Sequence, residues 1–127
     1  MRMIRSAAAS ILLAGGLVFV PAVQAGDVQL AVTLARNSED LGHHQLVVVE
    51  GKSGEIRLDG KMRLFVNPRV TAEGRILLSM RVEEPSGTRW IEVGEPRLLV
   101  ENGNEAQVSV TSKKGNSYRI SIRPLRS

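Results

Sequence analysis

Gly42, Leu46, Val48, Gly51, Gly54, Ile56 and Leu58 recur 52 positions later as Gly94, Leu98, Val100, Gly103, Ala106, Val108 and Val110. After a further slip of four positions, Arg63, Leu64, Val66 and Pro68 recur as Arg119, Ile120, Ile122 and Pro124. A supersecondary unit repeated in this way cannot bury its apolar face alone, and stacking a second copy covers it. The repeated positions are glycines, aliphatics, a proline and an arginine. They describe a scaffold, and the expected copies run over about 42–68 and 94–124.

Each copy reads as strands and turns. Val28, Leu30, Val32 and Leu34 alternate with Gln29, Ala31 and Thr33, the period of two left by one buried face of a strand. Leu46-Val47-Val48-Val49 is apolar on both faces, which predicts a strand in the centre of a sheet. Gly51-Lys52-Ser53-Gly54 turns the chain, and Asp59-Gly60 is a hairpin signal between Ile56-Leu58 and Met62-Val66. Ile76, Leu78, Met80 and Val82 form the longest alternating run and join the copies. The second copy continues through Trp90-Val93, Leu98-Val100, Ala106-Thr111 and Tyr118-Ile122.

About eight to nine short strands with frequent glycine turns predict an all-β fold, a small antiparallel β-sandwich of two related meanders. The apolar faces of the meanders are expected to cover one another. A membrane barrel needs eight strands of about 9 to 11 residues plus connections, more than this chain supplies.

The first 25 residues set the compartment. Arg2 and Arg5 precede an apolar run from Ala7 to Val20, then Pro21 and Val23-Gln24-Ala25. A basic start, a short apolar segment and small residues before a cut describe a signal peptide, here expected as a helix removed after Ala25. Residues 26–127 then form a single domain exported to the periplasm, with no transmembrane span after the signal is removed. Leu12-Leu13-Ala14-Gly15-Gly16 has the form of a lipoprotein processing site, but Gly16 stands where the lipidated cysteine belongs, so the chain is not expected to be a lipoprotein. The chain has no cysteine, so apolar burial and backbone hydrogen bonds hold the domain.

Beyond residue 25 there are 15 basic and 13 acidic residues, a net charge of +2. No acidic residue follows Glu105, whereas Lys113, Lys114, Arg119, Arg123 and Arg126 do. This basic final segment is a candidate surface for an anionic envelope polymer, lipopolysaccharide included. Its alternation of Arg119, Ser121 and Arg123 with Ile120 and Ile122 also reads as the solvated face of a strand. Nucleic acid is not an expected partner, because Phe65, Trp90 and Tyr118 offer few stacking platforms.

Arg63-Leu64-Phe65-Val66-Asn67-Pro68-Arg69-Val70-Thr71-Ala72-Glu73-Gly74-Arg75-Ile76-Leu77-Leu78 resembles a strand, proline, turn and strand phrase of the homology domain of bacterial secretins. Glu95-Pro96-Arg97-Leu98-Leu99-Val100-Glu101-Asn102-Gly103-Asn104-Glu105-Ala106 is similar to the phrase that usually precedes it in that family, although here it follows. Secretins also carry several ring-building domains and long amphipathic hairpins, for which this chain has no room. The resemblance therefore implies shared β-structure in the envelope of secretion and pilus systems, and an accessory role.

Chemistry is sparse. His43 and His44 with Glu39 and Asp40 offer metal donors, but adjacent residues of an extended chain point to opposite faces, so they read as a polar strand entrance. No glycine-flanked serine elbow is present. Gly51-Lys52-Ser53-Gly54 lacks the spacing of a phosphate loop. The chain is accordingly read as no enzyme, with no cofactor or metal. Its expected work is protein interaction with an envelope partner, through a sheet edge or through Trp90, Lys113, Lys114, Arg119, Arg123 and Arg126. Trp90 has two readings: a core residue capping the sandwich, which its apolar bulk favours, or an exposed anchor for a partner.

Overall fold

The computed structural model describes residues 26–126. The segment read as a signal peptide, residues 1–25, lies outside the described residues. Nine strands follow one another: β1 (Asp27–Arg36), β2 (Glu39–Val49), β3 (Gly54–Leu58), β4 (Met62–Val70), β5 (Ile76–Ser86), β6 (Arg89–Gly94), β7 (Arg97–Val100), β8 (Ala106–Thr111) and β9 (Ser117–Arg126). Two antiparallel sheets stack on each other. The first has the order β2-β1-β9-β8, and the second has the order β3-β4-β5-β6, with β7 also paired to β5. The all-β sandwich expected from the alternation is what the chain forms.

The repeat is wired differently from two stacked meanders. Each half of the chain gives one hairpin to each sheet: β1–β2 and β8–β9 make the first, β3–β4 and β5–β6/β7 the second. The hairpins join through β1 on β9 and β4 on β5. Val28, Leu30, Val32 and Leu34 pair with Arg126, Pro124, Ile122 and Ile120. Ile76, Leu78, Met80 and Val82 pair in the same pattern with Val70, Pro68, Val66 and Leu64. A two-fold relation thus carries β1 onto β5, at an offset of 48, and β4 onto β9, at an offset of 56.

The crossovers between sheets explain the repeated glycines and prolines. Gly51 and Gly103 take φ of 84° and 85°, a region costly for side-chain-bearing residues. Their N–H groups donate to the carbonyls of Pro68 and Pro124, each at 2.8 Å. β3 pairs with β4 no further than Val66, and β8 with β9 no further than Ile122. Beyond those points the interior strands face a crossover, so a proline there removes no ladder hydrogen bond. Pro124 therefore lies in an interior strand. Glu50 Oε2 accepts from the Val70 N–H, and Asn102 Oδ1 from the Arg126 N–H, both at 2.9 Å.

The core fills from the inward positions of the four joining strands. Val28, Leu30, Val32, Leu34, Ile76, Leu78, Val82, Leu64, Val66, Ile120 and Ile122 are all essentially inaccessible. Each such side chain contributes about 1.5–3 kcal/mol on leaving water. β2, expected at the centre of a sheet from Leu46 to Val49, lies at an edge. Its doubly apolar run arises because Val48 packs inward while Val49, on the outer face, is 50% exposed.

Candidate interaction surface

The two halves differ most at two hairpins. The turn Asn37-Ser38 between β1 and β2 corresponds to residues 85–90, the tip of the β5–β6 hairpin, because Arg36 pairs with Glu39 as Glu84 pairs with Ile91. Residues 59–61 between β3 and β4 correspond to residues 111–117, because Leu58 pairs with Met62 as Val110 pairs with Tyr118. Each extension adds four residues. The first contains Trp90 and the second contains Lys113 and Lys114.

The extensions meet at one end of the sandwich. Lys114 Nζ donates to the Pro85 carbonyl at 3.0 Å, and Pro85 is the ladder partner of Trp90. Beneath them Glu84, 1% exposed, accepts from the Tyr118 hydroxyl at 2.7 Å and from Asn116 Nδ2 at 3.1 Å. Asn116 and Ser117 are in turn held by the side chain of Asn37 in the β1–β2 turn. Burial by itself pushes the Glu84 carboxyl up. The hydrogen bonds from Asn116, Tyr118 and Ser112, with the charge of Lys114, outweigh burial and hold it below its ordinary value. Burial and the Glu84 carboxylate push the Tyr118 hydroxyl up to about 12.

Trp90 faces outward on the second sheet, which corrects its core reading. Its indole is half-buried by the guanidiniums of Arg63 and Arg57, centred 4.9 and 5.9 Å from the ring, and not by the aliphatic core. The ladder explains this. Arg57 pairs with Arg63, Arg63 with Glu83, and Glu83 with Glu92, so one outward row crosses four strands beside the indole. Arg63 donates through Nε to Glu83 Oε1 at 2.8 Å and also through Nη2, and Arg81 Nη2 lies 2.7 Å from Glu83 Oε2. Two cations share one carboxylate, which is 6% exposed. The Arg63 and Arg81 guanidiniums also lie 5.3 and 5.1 Å from the Phe65 ring. Cation–π pairs of this geometry are worth about 0.5–1 kcal/mol each at exposed sites.

Three of the sequence candidates, Trp90, Lys113 and Lys114, thus share the end where the extensions meet. The others do not join them. Arg119 and Arg123 point outward from β9 on the first sheet, paired with Ala35 and Ala31, and both are exposed. Arg126 ends β9 at the far end, its Nη2 beside Gly74. Arg57, Arg63, Phe65, Arg81 and Glu83 escaped the sequence reading. Their alternation with Ile56, Leu64, Met80 and Val82 was visible, but only the ladder register stacks them against Trp90.

His43 and His44 are engaged locally. His43 Nδ1 lies 2.8 Å from the Thr33 hydroxyl, and His44 Nε2 donates to the Leu41 carbonyl at 2.9 Å. No three His, Cys, Asp or Glu side chains converge on a metal position among the described residues. No helix among them is long and apolar enough to cross a membrane. No protein-family model, curated protein or solved structure matches this chain.

Proposed function

We propose that this chain is a non-enzymatic, exported β-sandwich that works by protein interaction, as an accessory of an assembly in the bacterial envelope. The observation that carries the reading is the asymmetry. The two halves keep a common register wherever they build the scaffold, and they depart from it where Trp90 and Lys114 are brought to adjoining hairpins. Trp and Arg are the residue types that most often anchor interfaces, and here they are preassembled and partly dry. Residues 1–25, with the composition of a signal peptide, support export. The secretin-like wording of β4, β5 and β7 supports the envelope assembly.

A photoreactive residue placed at 90 or 114 in intact cells tests this. The same envelope protein is expected at both positions and not at Gln107, which lies on the first sheet. Failure to recover an envelope protein at either position overturns the reading.

A second reading has its own observation. Arg119 and Arg123 stand exposed among Ser109, Ser121, Ala31 and Ala35, with no ion pair formed by either among the described residues. An anionic envelope polymer would be held there by screened charge alone, so capture should weaken steeply from low to physiological salt. Lipopolysaccharide binding that is unchanged by salt, or by Arg119→Ala with Arg123→Ala, removes this reading.

A further inference from the structure

The outer face of the second sheet dips beside the Trp90 cluster. Asn67, Ser79 and Arg97 form one cross-strand row of β4, β5 and β7. Two residues along, Phe65 pairs with Arg81. On the other side, Leu77 pairs with Leu99. Short side chains at Asn67 and Ser79 between longer ones leave a trough of about 530 Å³, which Ser53 and Glu95 also line. Side chains diagonal across a ladder lie about 7–8 Å apart, which places Arg81 and Arg97 within reach of one ligand group.

The charges in the trough are not balanced. Arg81 shares Glu83 with Arg63. Arg97 is exposed and forms no ion pair among the described residues, and Glu95 at the end of the trough pairs with neither arginine. Arg97 is thus the guanidinium beside the trough left without a carboxylate partner among the described residues, the complement of one carboxylate. One row beyond the trough on the same face, Leu99 is 51% exposed beside half-buried Leu77, an apolar step next to Arg97. The floor also holds a buried acceptor without a donor among the described residues, Asn67 Oδ1, fixed in direction because Asn67 Nδ2 donates to the Gly51 carbonyl at 3.1 Å.

We propose that this trough binds an extended protein segment in which an acidic residue is followed by an apolar one. The carboxylate sits between Arg97 and Arg81, and the apolar side chain covers Leu77 and Leu99. A sugar ring is disfavoured because two guanidiniums already lie against Phe65. The inference rests on the interaction reading above and names the chemistry of the partner.

The test uses isotope-labelled protein titrated with the probe Ac-Gly-Asp-Leu-Gly-NH₂ and followed by amide resonances. Shifts at Ser79, Arg81, Arg97 and Leu99 are expected, with a Kd in the low millimolar range for so short a probe. Arg97→Ala should weaken binding about tenfold, because a charge-assisted contact is lost at an exposed site that the fold does not need. Gln107→Ala, on the other sheet, should leave it unchanged. Absence of shifts overturns the proposal, as does an equal response to the Asn counterpart of the probe or to inorganic phosphate. Capture at position 90 in cells despite a silent trough would refute this site alone and leave the interaction reading standing.

Discussion

Tyr118 reaches from β9 across the interior and donates its hydroxyl to Glu84 Oε1 on β5 at 2.7 Å, tying the two sheets together at the end where the extensions meet. Both residues are buried, and in the other half Met62 stands in the place of Tyr118 and Arg36 in the place of Glu84. Replacing Tyr118 by Phe keeps the ring and removes one donor from a buried carboxylate. The expected loss is about 1–3 kcal/mol of stability by urea denaturation. Glu84→Gln in the same background should cost less than the sum of the two single changes.

The same pair sets two pH windows. Glu84 titrates below its unfolded value of 4.5, so its contribution is complete above 4.5 and drains away as pH falls through the folded value. Tyr118 titrates above its unfolded value of 10.0, at about 12, so its contribution is complete below 10.0 and is lost as pH rises toward 12. Urea midpoints measured across both windows should show the alkaline loss shrink in Tyr118→Phe and the acid loss shrink in Glu84→Gln.

Arg63 is held between Trp90 and Phe65 while its guanidinium bonds Glu83. Arg63→Ala leaves Glu83 with Arg81 as its remaining close partner and should cost about 2 kcal/mol, in the range of hydrogen bonds to charged groups. Trp90 is the only tryptophan, so the uncovered indole should shift its emission to the red. Arg63→Lys keeps the charge but not the planar fork, and should fall between the two.

Gly54 marks a close approach of the sheets. A Cβ built there would lie 2.6 Å from Val48 Cγ2. Gly54→Ala should therefore destabilise by about 1–3 kcal/mol although the equivalent residue of the second copy is Ala106. Shortening the neighbour in the double variant Gly54→Ala with Val48→Ala should relieve the clash, so that the two changes together cost less than their sum.

Asn37 carries φ of 57° in the β1–β2 turn, the positive region that asparagine tolerates. Its Oδ1 also accepts from the Ser117 N–H at 3.0 Å. Asn37→Ala loses both advantages and should cost about 1–2 kcal/mol, whereas Asn37→Gly restores only the backbone freedom. Thermal unfolding of the two variants separates the parts.

Much of the scaffold was legible in the sequence because strands announce themselves by alternation. The glycine turns, the hairpin at Asp59-Gly60 and the slip of four before Arg119 all correspond to features of the fold. What alternation does not encode is which strand lies beside which. Leu46 to Val49 reads as central because both faces are apolar, yet β2 borders solvent on one side. Trp90 reads as core because it is large, yet its cover comes from arginines 27 and 33 residues earlier. Both errors have one cause. Partners distant in sequence, here Arg57 and Arg63, are brought in by ladder register, and no local period records that.

The reciprocal exchange of hairpins makes this domain an intertwined pair of half-length units joined at residues 71–75. Cut there, each fragment would hold one hairpin of each sheet and no complete sheet, with the inward rows of β1 and β5 exposed. Val28 and Arg126 are ladder neighbours, so the reverse operation is also open. A chain tied from residue 126 back to residue 26 and opened between β4 and β5 keeps every strand pair, because the order of the units along the polymer is immaterial to the pairing that closes them.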